Sequence, residues 1–313
     1  MESRMIDGRY VPLQQLGRGG YGSVFLVQDS LTNRRVALKF LMDASADAVT
    51  RFQREARLLG EAANNRYVVE LLGCNLKHTP PYLVLEYCEY GSLRSWVGAQ
   101  RPWQDVAAAL THALNGLHGI HAAGGFHRDL KPDNLLVTRH PEQPTRVLIK
   151  IGDLGLARTP GPETQPMTRN AAGTEGYIAP EIKAGAPFQA SADIYSLGIV
   201  AAELLTGERS TQKLGQTKLP EQMRAMVRSM LSANPRERPS AQQLAQTLTN
   251  LLQDPHVIAE TEEQSSGIGG VLITSLLAGG ALLALAALAG GDEAQWDERV
   301  QRFRGPDGKF KSE

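Results

Sequence analysis

Short runs of β-branched and apolar residues, separated by turn residues, fill the chain from residue 10 to about residue 86; one of them is residues 67–73. Runs of this kind are typical of strands. One stretch, residues 46–62, instead has apolar side chains at helical spacing: Val49, Phe52, Ala56 and Leu59. We therefore predict a small antiparallel sheet with one helix in this part of the chain.

After Gly91 the pattern becomes mainly helical. Apolar positions predict helices over residues 106–123, 192–205, 221–231 and 241–252. The last of these opens with Ser240 and Gln243 at the spacing of a capping box. A mainly β half followed by a mainly α half predicts an α+β fold.

Residues 267–291 contain no charged side chain. Because about 20 apolar residues cross the hydrocarbon core of a bilayer, we expect a single transmembrane helix at 268–290. It would follow a polar linker at 254–267 and precede a short charged tail at 291–313. A Gly/Ala-rich helix that does not span a membrane is the alternative. Small residues four apart, such as Ser275 and Gly279, would let two such helices approach and suggest a homodimer.

Composition limits the class of protein. Hydrophobic residues make up 42% and charged residues 21%, which are ordinary values for a globular chain. Lys plus Arg and Asp plus Glu are both 33, so no general basic surface for nucleic acid is expected. The two cysteines, Cys74 and Cys88, are too few for a disulfide framework. We expect a reducing compartment, with Cys74 buried as a small hydrophobe.

A glycine-rich segment between the first two predicted strands has Gly17, Gly19 and Gly22 at its first, third and sixth positions. Glycine lets backbone amides approach phosphate oxygens closely. A strand follows instead of a helix, which argues against a dinucleotide-binding fingerprint and leaves a plain hairpin turn as the alternative. Lys39 ends a later apolar strand, and Glu55 on the next helix is placed to pair with it, which would hold Lys39 against phosphates.

The most specific segment is residues 127–134, the catalytic loop, which reads His-Arg-Asp-Leu-Lys-Pro-Asp-Asn after an apolar helix. Asp129 would accept or orient the proton of an acceptor hydroxyl, and Lys131 would stabilise charge on a γ-phosphate. Asn134 would offer its amide oxygen to Mg²⁺, and Asp153 would supply the second metal ligand.

In these ordered motifs the chain resembles the eukaryotic-like protein serine/threonine kinase family, over residues 7–253. The resemblance implies a two-lobed kinase fold, with an antiparallel-sheet N-lobe at 7–85, a hinge at 86–91 and a larger helical C-lobe at 92–253. It implies transfer of the γ-phosphoryl group of ATP, with Mg²⁺, to serine or threonine of protein substrates, and autophosphorylation. The implied ATP-binding residues are Leu16, Gly17, Gly19, Gly22, Val24, Ala37, Lys39, Glu86, Cys88 and Leu136.

The resemblance also implies supporting and regulatory residues. Glu181 would pair with Arg238, and Asp193 would brace the catalytic loop. Lys131 and Thr174 are similar to the serine/threonine class. Arg128 beside Asp129 suggests activation by phosphorylation, since a guanidinium can clamp a phosphate. Thr168 is the preferred site; the alternative is that it is an ordinary loop threonine.

Two other functions fit part of the pattern. A pseudokinase scaffold would bind ATP without transfer, but Lys39, Asp129 and Asp153 are all present. A small-molecule phosphotransferase would generally lack the stretch at 173–181, Gly-Thr-Glu-Gly-Tyr-Ile-Ala-Pro-Glu, which favours a protein substrate.

Localisation depends on two opposing arguments. Basic residues in the tail favour placing the tail in the cytosol, whereas ATP supply requires the kinase domain there. We give the ATP argument more weight and expect a cytoplasmic kinase domain with the short tail across the membrane. The N-terminus has no apolar run, so no secretory signal peptide is expected.

Overall fold

A computed structural model describes residues 5–19, 22–43, 45–143, 146–154 and 174–254, and the backbone of 295–297 and 302–304. The chain divides into two compact units. The first contains Met1–Ala63, Val69–Tyr87 and Ala289–Glu313, and the second contains Asn64–Val68 and Cys88–Leu288.

The first unit is built on an antiparallel five-stranded sheet in the order β1-β2-β3-β5-β4. Its strands are β1 Tyr10–Gly19, β2 Gly22–Asp29, β3 Arg34–Leu41, β4 Leu71–Asn75 and β5 Tyr82–Glu86. Helix α1 spans Ala46–Glu61 and begins at Ser45, whose side chain accepts a hydrogen bond from the Ala48 amide. The predicted sheet with one helix is therefore confirmed.

The two faces of this sheet carry different side chains. Leu38 and Phe40 of β3 belong to a buried cluster with Phe25 of β2. Since side chains alternate along a strand, Ala37 and Lys39 lie on the opposite face. Lys39 stands across from Val24 in the register of β2 and β3, so Val24, Ala37 and Lys39 share one face of the sheet.

The second unit is mainly helical. Its elements are α2 Trp103–Ala122, β6 Leu135–Arg139, β7 Val147–Ile151, α3 Pro180–Lys183, α4 Ala190–Thr206, α5 Glu221–Met230 and α6 Ala241–Gln253. Helix α4 is buried along almost its whole length, as expected for a helix that is apolar on all sides. It ends at Gly207, whose φ of 81° is the left-handed cap that glycine adopts readily. The predicted capping box at Ser240 and Gln243 is present at the start of α6.

Two predictions about the first unit were wrong in detail. The apolar run from residue 67 to 73 does not form one strand, because β4 begins only at Leu71. The Tyr67 carbonyl instead accepts from the Ile151 amide of β7, and Val68 bridges to the same residue, so both belong to the second unit. Cys74 is exposed rather than buried. It lies on β4, the edge strand, at an outward position of the alternating pattern.

Most of the C-terminal region falls outside the described residues. This applies to the predicted transmembrane helix at 268–290 and to most of the linker at 254–267. Two short strands in the predicted tail, β8 Gln295–Asp297 and β9 Arg302–Arg304, pair in antiparallel fashion. Within the ranges that the structure describes, no helix has the length and hydropathy needed to cross a membrane.

Candidate active site

The catalytic loop is held by the carboxylate of Asp193 near the start of α4. Asp193 is fully buried. Its Oδ2 accepts from the His127 amide at 2.9 Å and its Oδ1 from the Arg128 amide at 2.8 Å. The Nε2 atom of His121, near the end of α2, lies 2.9 Å from Oδ2. One buried carboxylate thus fixes the backbone on the N-terminal side of Asp129, the bracing role that the resemblance implies.

The imidazole of His127 connects the catalytic loop to the segment that carries Asp153. Its Nδ1 accepts from the Asp129 amide at 3.2 Å, so its proton is on Nε2. Nε2 then donates to the Gly152 carbonyl at 3.0 Å. Sequence reasoning assigned no role to His127, because both partners are backbone groups that a motif does not reveal.

The carboxylate of Asp129 receives donors on both oxygens. Oδ1 accepts from the amide and the hydroxyl of Thr174, each at 2.8 Å. Oδ2 lies 2.8 Å from Lys131 Nζ and 3.3 Å from Asn134 Nδ2. Lys131 Nζ also donates to the Thr174 hydroxyl at 2.8 Å. These contacts hold Asp129 in one orientation and surround it with positive charge and dipoles.

The residues present fit a divalent cation. Asn134 donates its Nδ2 to the Asp129 carbonyl at 2.7 Å, which leaves its Oδ1 for a metal. The Asn134 carbonyl accepts from the Gly152 amide at 2.9 Å, beside Asp153. An amide oxygen and a carboxylate suit Mg²⁺, which takes few protein ligands and completes its shell with phosphate and water. Among the described residues, no group of three or more His, Cys, Asp or Glu could hold a metal ion.

Two residues of this region have left-handed backbone. Arg128 has φ 73° and Asp153 has φ 55°. Such conformations are uncommon for residues other than glycine and cost about 1–3 kcal/mol each. They are compensated by the surrounding hydrogen bonds, among them those of Asp193.

In the first unit, Lys39 and Glu55 form a buried ion pair. Lys39 Nζ donates to both carboxylate oxygens of Glu55, at 2.6 and 2.8 Å. The side chains are only 16% and 2% exposed. The ammonium group is therefore fixed on the face of the sheet that also carries Val24 and Ala37.

The glycines of the β1–β2 hairpin do not all serve the same purpose. A Cβ at Gly17 would meet no atom within 4 Å, so this backbone is open to a ligand. A Cβ at Gly22 would lie 2.0 Å from the Phe40 carbonyl oxygen, so glycine is needed there for packing against β3. Gly19 is the register partner of Gly22, and Leu16 is 40% exposed.

The boundary between the two units along the chain falls among the predicted hinge residues, between Tyr87 and Cys88. Glu86 ends β5 in the first unit; its amide donates to the Glu70 carbonyl at 3.0 Å, and its Oε1 accepts from the Glu70 amide at 2.8 Å. Cys88 is buried in the second unit, and its carbonyl accepts from the Gly91 amide. Leu136 lies on β6 and is bridged to Ser92.

Among the remaining predicted residues, Glu181 and Arg238 form a bidentate ion pair at 2.6 and 2.8 Å, with the Arg238 side chain fully buried. The Arg128 guanidinium lies 5.2 Å from the ring centroid of Phe188. Thr168 lies outside the described residues. The phosphate-clamping role of Arg128 therefore stays a prediction.

A family model described as the protein kinase domain matches residues 10–249. The chain belongs to the protein kinase domain family. It is 34% identical over 206 residues to a protein named serine/threonine-protein kinase Pkn1 from Myxococcus xanthus, an alignment that covers 64% of this chain and 29% of that protein. It is also 34% identical over 213 residues to one named serine/threonine-protein kinase PknL from Mycobacterium bovis, covering 66% and 51%. The chain thus spans about half or less of these curated relatives.

We predict that Glu55→Gln destabilises the protein by about 3 kcal/mol, because it removes the charge of a buried carboxylate that pairs with the ammonium group of Lys39. The measurement is the free energy of unfolding from urea denaturation. Glu61→Gln is the matched control on the same helix, since the Arg57–Glu61 pair is exposed and contributes less than about 0.5 kcal/mol. Equal losses in the two variants would contradict the buried pairing.

Proposed function

We propose that this chain is a protein serine/threonine kinase, which transfers the γ-phosphoryl group of Mg-ATP to serine or threonine hydroxyls of protein substrates. The observation that carries the proposal is the arrangement around Asp129, whose carboxylate is held by Thr174, Lys131 and Asn134. Membership of the kinase family and the printed names of the relatives support it.

The geometry supports a separate role for each side chain. Asp129 is oriented to accept a hydrogen bond from an acceptor hydroxyl, and to take its proton as the oxygen attacks phosphorus. Lys131 lies beside Asp129 and can neutralise charge on the transferred group. Asn134 and Asp153 would hold Mg²⁺, which supplies charge neutralisation on the phosphates when bound. In the other unit, Lys39 is held by Glu55 and would contact phosphate oxygens.

We predict that Asp129→Asn lowers the rate of phosphoryl transfer by about 10²–10⁴-fold, the usual contribution of a general base. The measurement is transfer of labelled phosphate from Mg-ATP to the full-length chain itself and to a generic basic protein, followed by phosphoamino-acid analysis. Label should appear on serine or threonine.

Asp47→Asn is the control for this experiment, because Asp47 is an exposed aspartate on α1, paired only at the surface with Arg51. It should transfer phosphate at the wild-type rate. Absence of transfer in the wild-type protein, with ATP binding intact, would support the pseudokinase scaffold instead. Label in the autophosphorylated protein that disappears in Thr168→Ala would identify Thr168 as the regulatory site.

We further propose that residues 268–290 form a helix that anchors the chain in a membrane, with the kinase domain in the cytoplasm. Two such helices, one from each of two copies of the chain, would pack together in a homodimer. The uncharged run from 267 to 291 supports the anchor. Small residues four apart, such as Ser275 and Gly279, support close approach of two helices.

We predict that the full-length chain sediments with membranes and resists extraction at high pH and high salt, because a spanning helix is held by burial in hydrocarbon. Deletion of residues 268–290 should release it to the soluble fraction. The measurement is fractionation followed by immunodetection. A full-length chain that alkaline carbonate removes from membranes would contradict the spanning helix.

A further inference from the structure

Residues 64–68 are fastened to helix α2 by contacts that the chemistry described above does not use. This segment belongs to the second unit, as α2 does. The side chain of Asn65 donates its Nδ2 to the carbonyls of Asn115 and Gly116 on α2, both at 3.4 Å. Its Oδ1 accepts from the Tyr67 amide at 3.0 Å. One amide side chain therefore fixes the turn of the segment and holds it against the helix.

Two glycines of α2, three residues apart on one face of the helix, make room for this segment. A Cβ at Gly119 would lie 2.2 Å from Asn65 Nδ2, and a Cβ at Gly116 would lie 2.7 Å from the Tyr67 carbonyl oxygen. Any larger residue at either position would displace the segment. Glycine weakens a helix relative to alanine, so the pair serves the close approach and not the helix. We call Gly116 and Gly119 the α2 slot.

A pair of stacked rings also joins the segment to α2. The Tyr67 ring lies against the imidazole of His112 on α2, with ring centroids 5.3 Å apart and planes 27° from parallel. His112 Nδ1 accepts from the Ile149 amide of β7 at 3.2 Å, so its proton is on Nε2. Burial lowers the pKa of His112 to about 4, so the ring is neutral and can accept this bond at neutral pH. Helix α2 thus holds both the segment and β7.

The segment in turn holds the end of β7. The Tyr67 carbonyl accepts from the Ile151 amide at 2.8 Å, and Val68 forms a parallel bridge with Ile151. Ile151 is the last residue of β7 and comes two residues before Asp153. The intervening glycine donates its amide to the Asn134 carbonyl at 2.9 Å. The backbone that leads to the proposed metal ligand is therefore fixed by the segment on one side and by the catalytic loop on the other.

We infer that Asn65, together with the α2 slot, positions the backbone that carries Asp153. These are positioning residues, which act through the Tyr67 carbonyl and β7 rather than on the metal or the nucleotide. The inference rests on the proposed kinase function, in which Asp153 is a ligand of Mg²⁺. Damage to the slot should therefore weaken the metal-dependent part of nucleotide binding and leave the metal-independent part unchanged.

The test measures the dissociation constant of the full-length protein for a non-hydrolysable ATP analogue by calorimetry, once with Mg²⁺ and once with EDTA. The ratio of the EDTA value to the Mg²⁺ value is the metal-dependent gain. The methyl group of Gly116→Ala would press on the Tyr67 carbonyl and lie 3.0 Å from Ile151 Cδ1. In this variant the gain should fall about tenfold, as when the support of a metal ligand is disturbed. The dissociation constant in EDTA should keep its wild-type value.

A double-mutant cycle tests whether Asn65 and Gly119 act as one device. Asn65→Ala removes the amide and Gly119→Ala expels it, so each should lower the gain about fivefold, as the loss of hydrogen bonds to one side chain does. The double variant should bind no more weakly than Asn65→Ala. Its two methyl groups would lie 3.9 Å apart, an ordinary contact. Losses that simply add would contradict the shared device.

Gly60→Ala is the control for these variants, because Gly60 also lies in a helix and a Cβ there would meet no atom within 4 Å. Both of its dissociation constants should equal those of the wild type. Circular dichroism establishes that each variant is folded. If Gly116→Ala does not fold, Asn65→Ala decides, because it adds no atom to the slot.

A folded Asn65→Ala protein with the wild-type gain would overturn the inference and leave the kinase function intact. An equal loss of affinity in Mg²⁺ and in EDTA would also overturn it, since a general structural defect weakens both. A wild-type protein that transfers no phosphate and binds the analogue no more tightly with Mg²⁺ than with EDTA would overturn the proposed function itself.

Discussion

The hydrogen bonds of Asp193 are the constraint on which the candidate site depends. A fully buried carboxylate is costly unless it is well paired, and here it accepts from two consecutive backbone amides and lies against His121. These bonds hold Arg128 in a left-handed conformation that it would not adopt alone. The next residue along the chain is Asp129, so helix α4 determines where the carboxylate of the proposed proton acceptor lies.

Hydrogen bonds that involve backbone groups connect the N-terminal part of the catalytic loop to the rest of the candidate site. His127 connects the catalytic loop to the Gly152 carbonyl, and Asn134 accepts from the Gly152 amide. Thr174 bonds to Asp129 through its own amide and hydroxyl. The proposed proton acceptor and the proposed metal ligands are therefore positioned by the same network, so a change in α4 should affect both.

Sequence patterns could predict those features that depend on local spacing. Helix α1, the capping box at Ser240 and the Lys39–Glu55 pair follow from periodicity, cap chemistry or an ordered motif, and the structure contains all three. The two contacts of the His127 imidazole could not be predicted, because its partners, the Asp129 amide and the Gly152 carbonyl, are backbone groups. The prediction of a single strand at residues 67–73 was wrong for a similar reason: the backbone partner of Tyr67 and Val68 is Ile151, which is far away in sequence.

The most direct test of this account is steady-state kinetics of Asp193→Asn, which replaces one accepting oxygen with a donor. Asp193 is a positioning residue, so kcat should fall about 100-fold, as expected for a misplacement near 1 Å, while the KM for Mg-ATP changes little. Circular dichroism should confirm that the variant is folded. A folded variant with wild-type kcat would contradict the claim that Asp193 positions the catalytic loop.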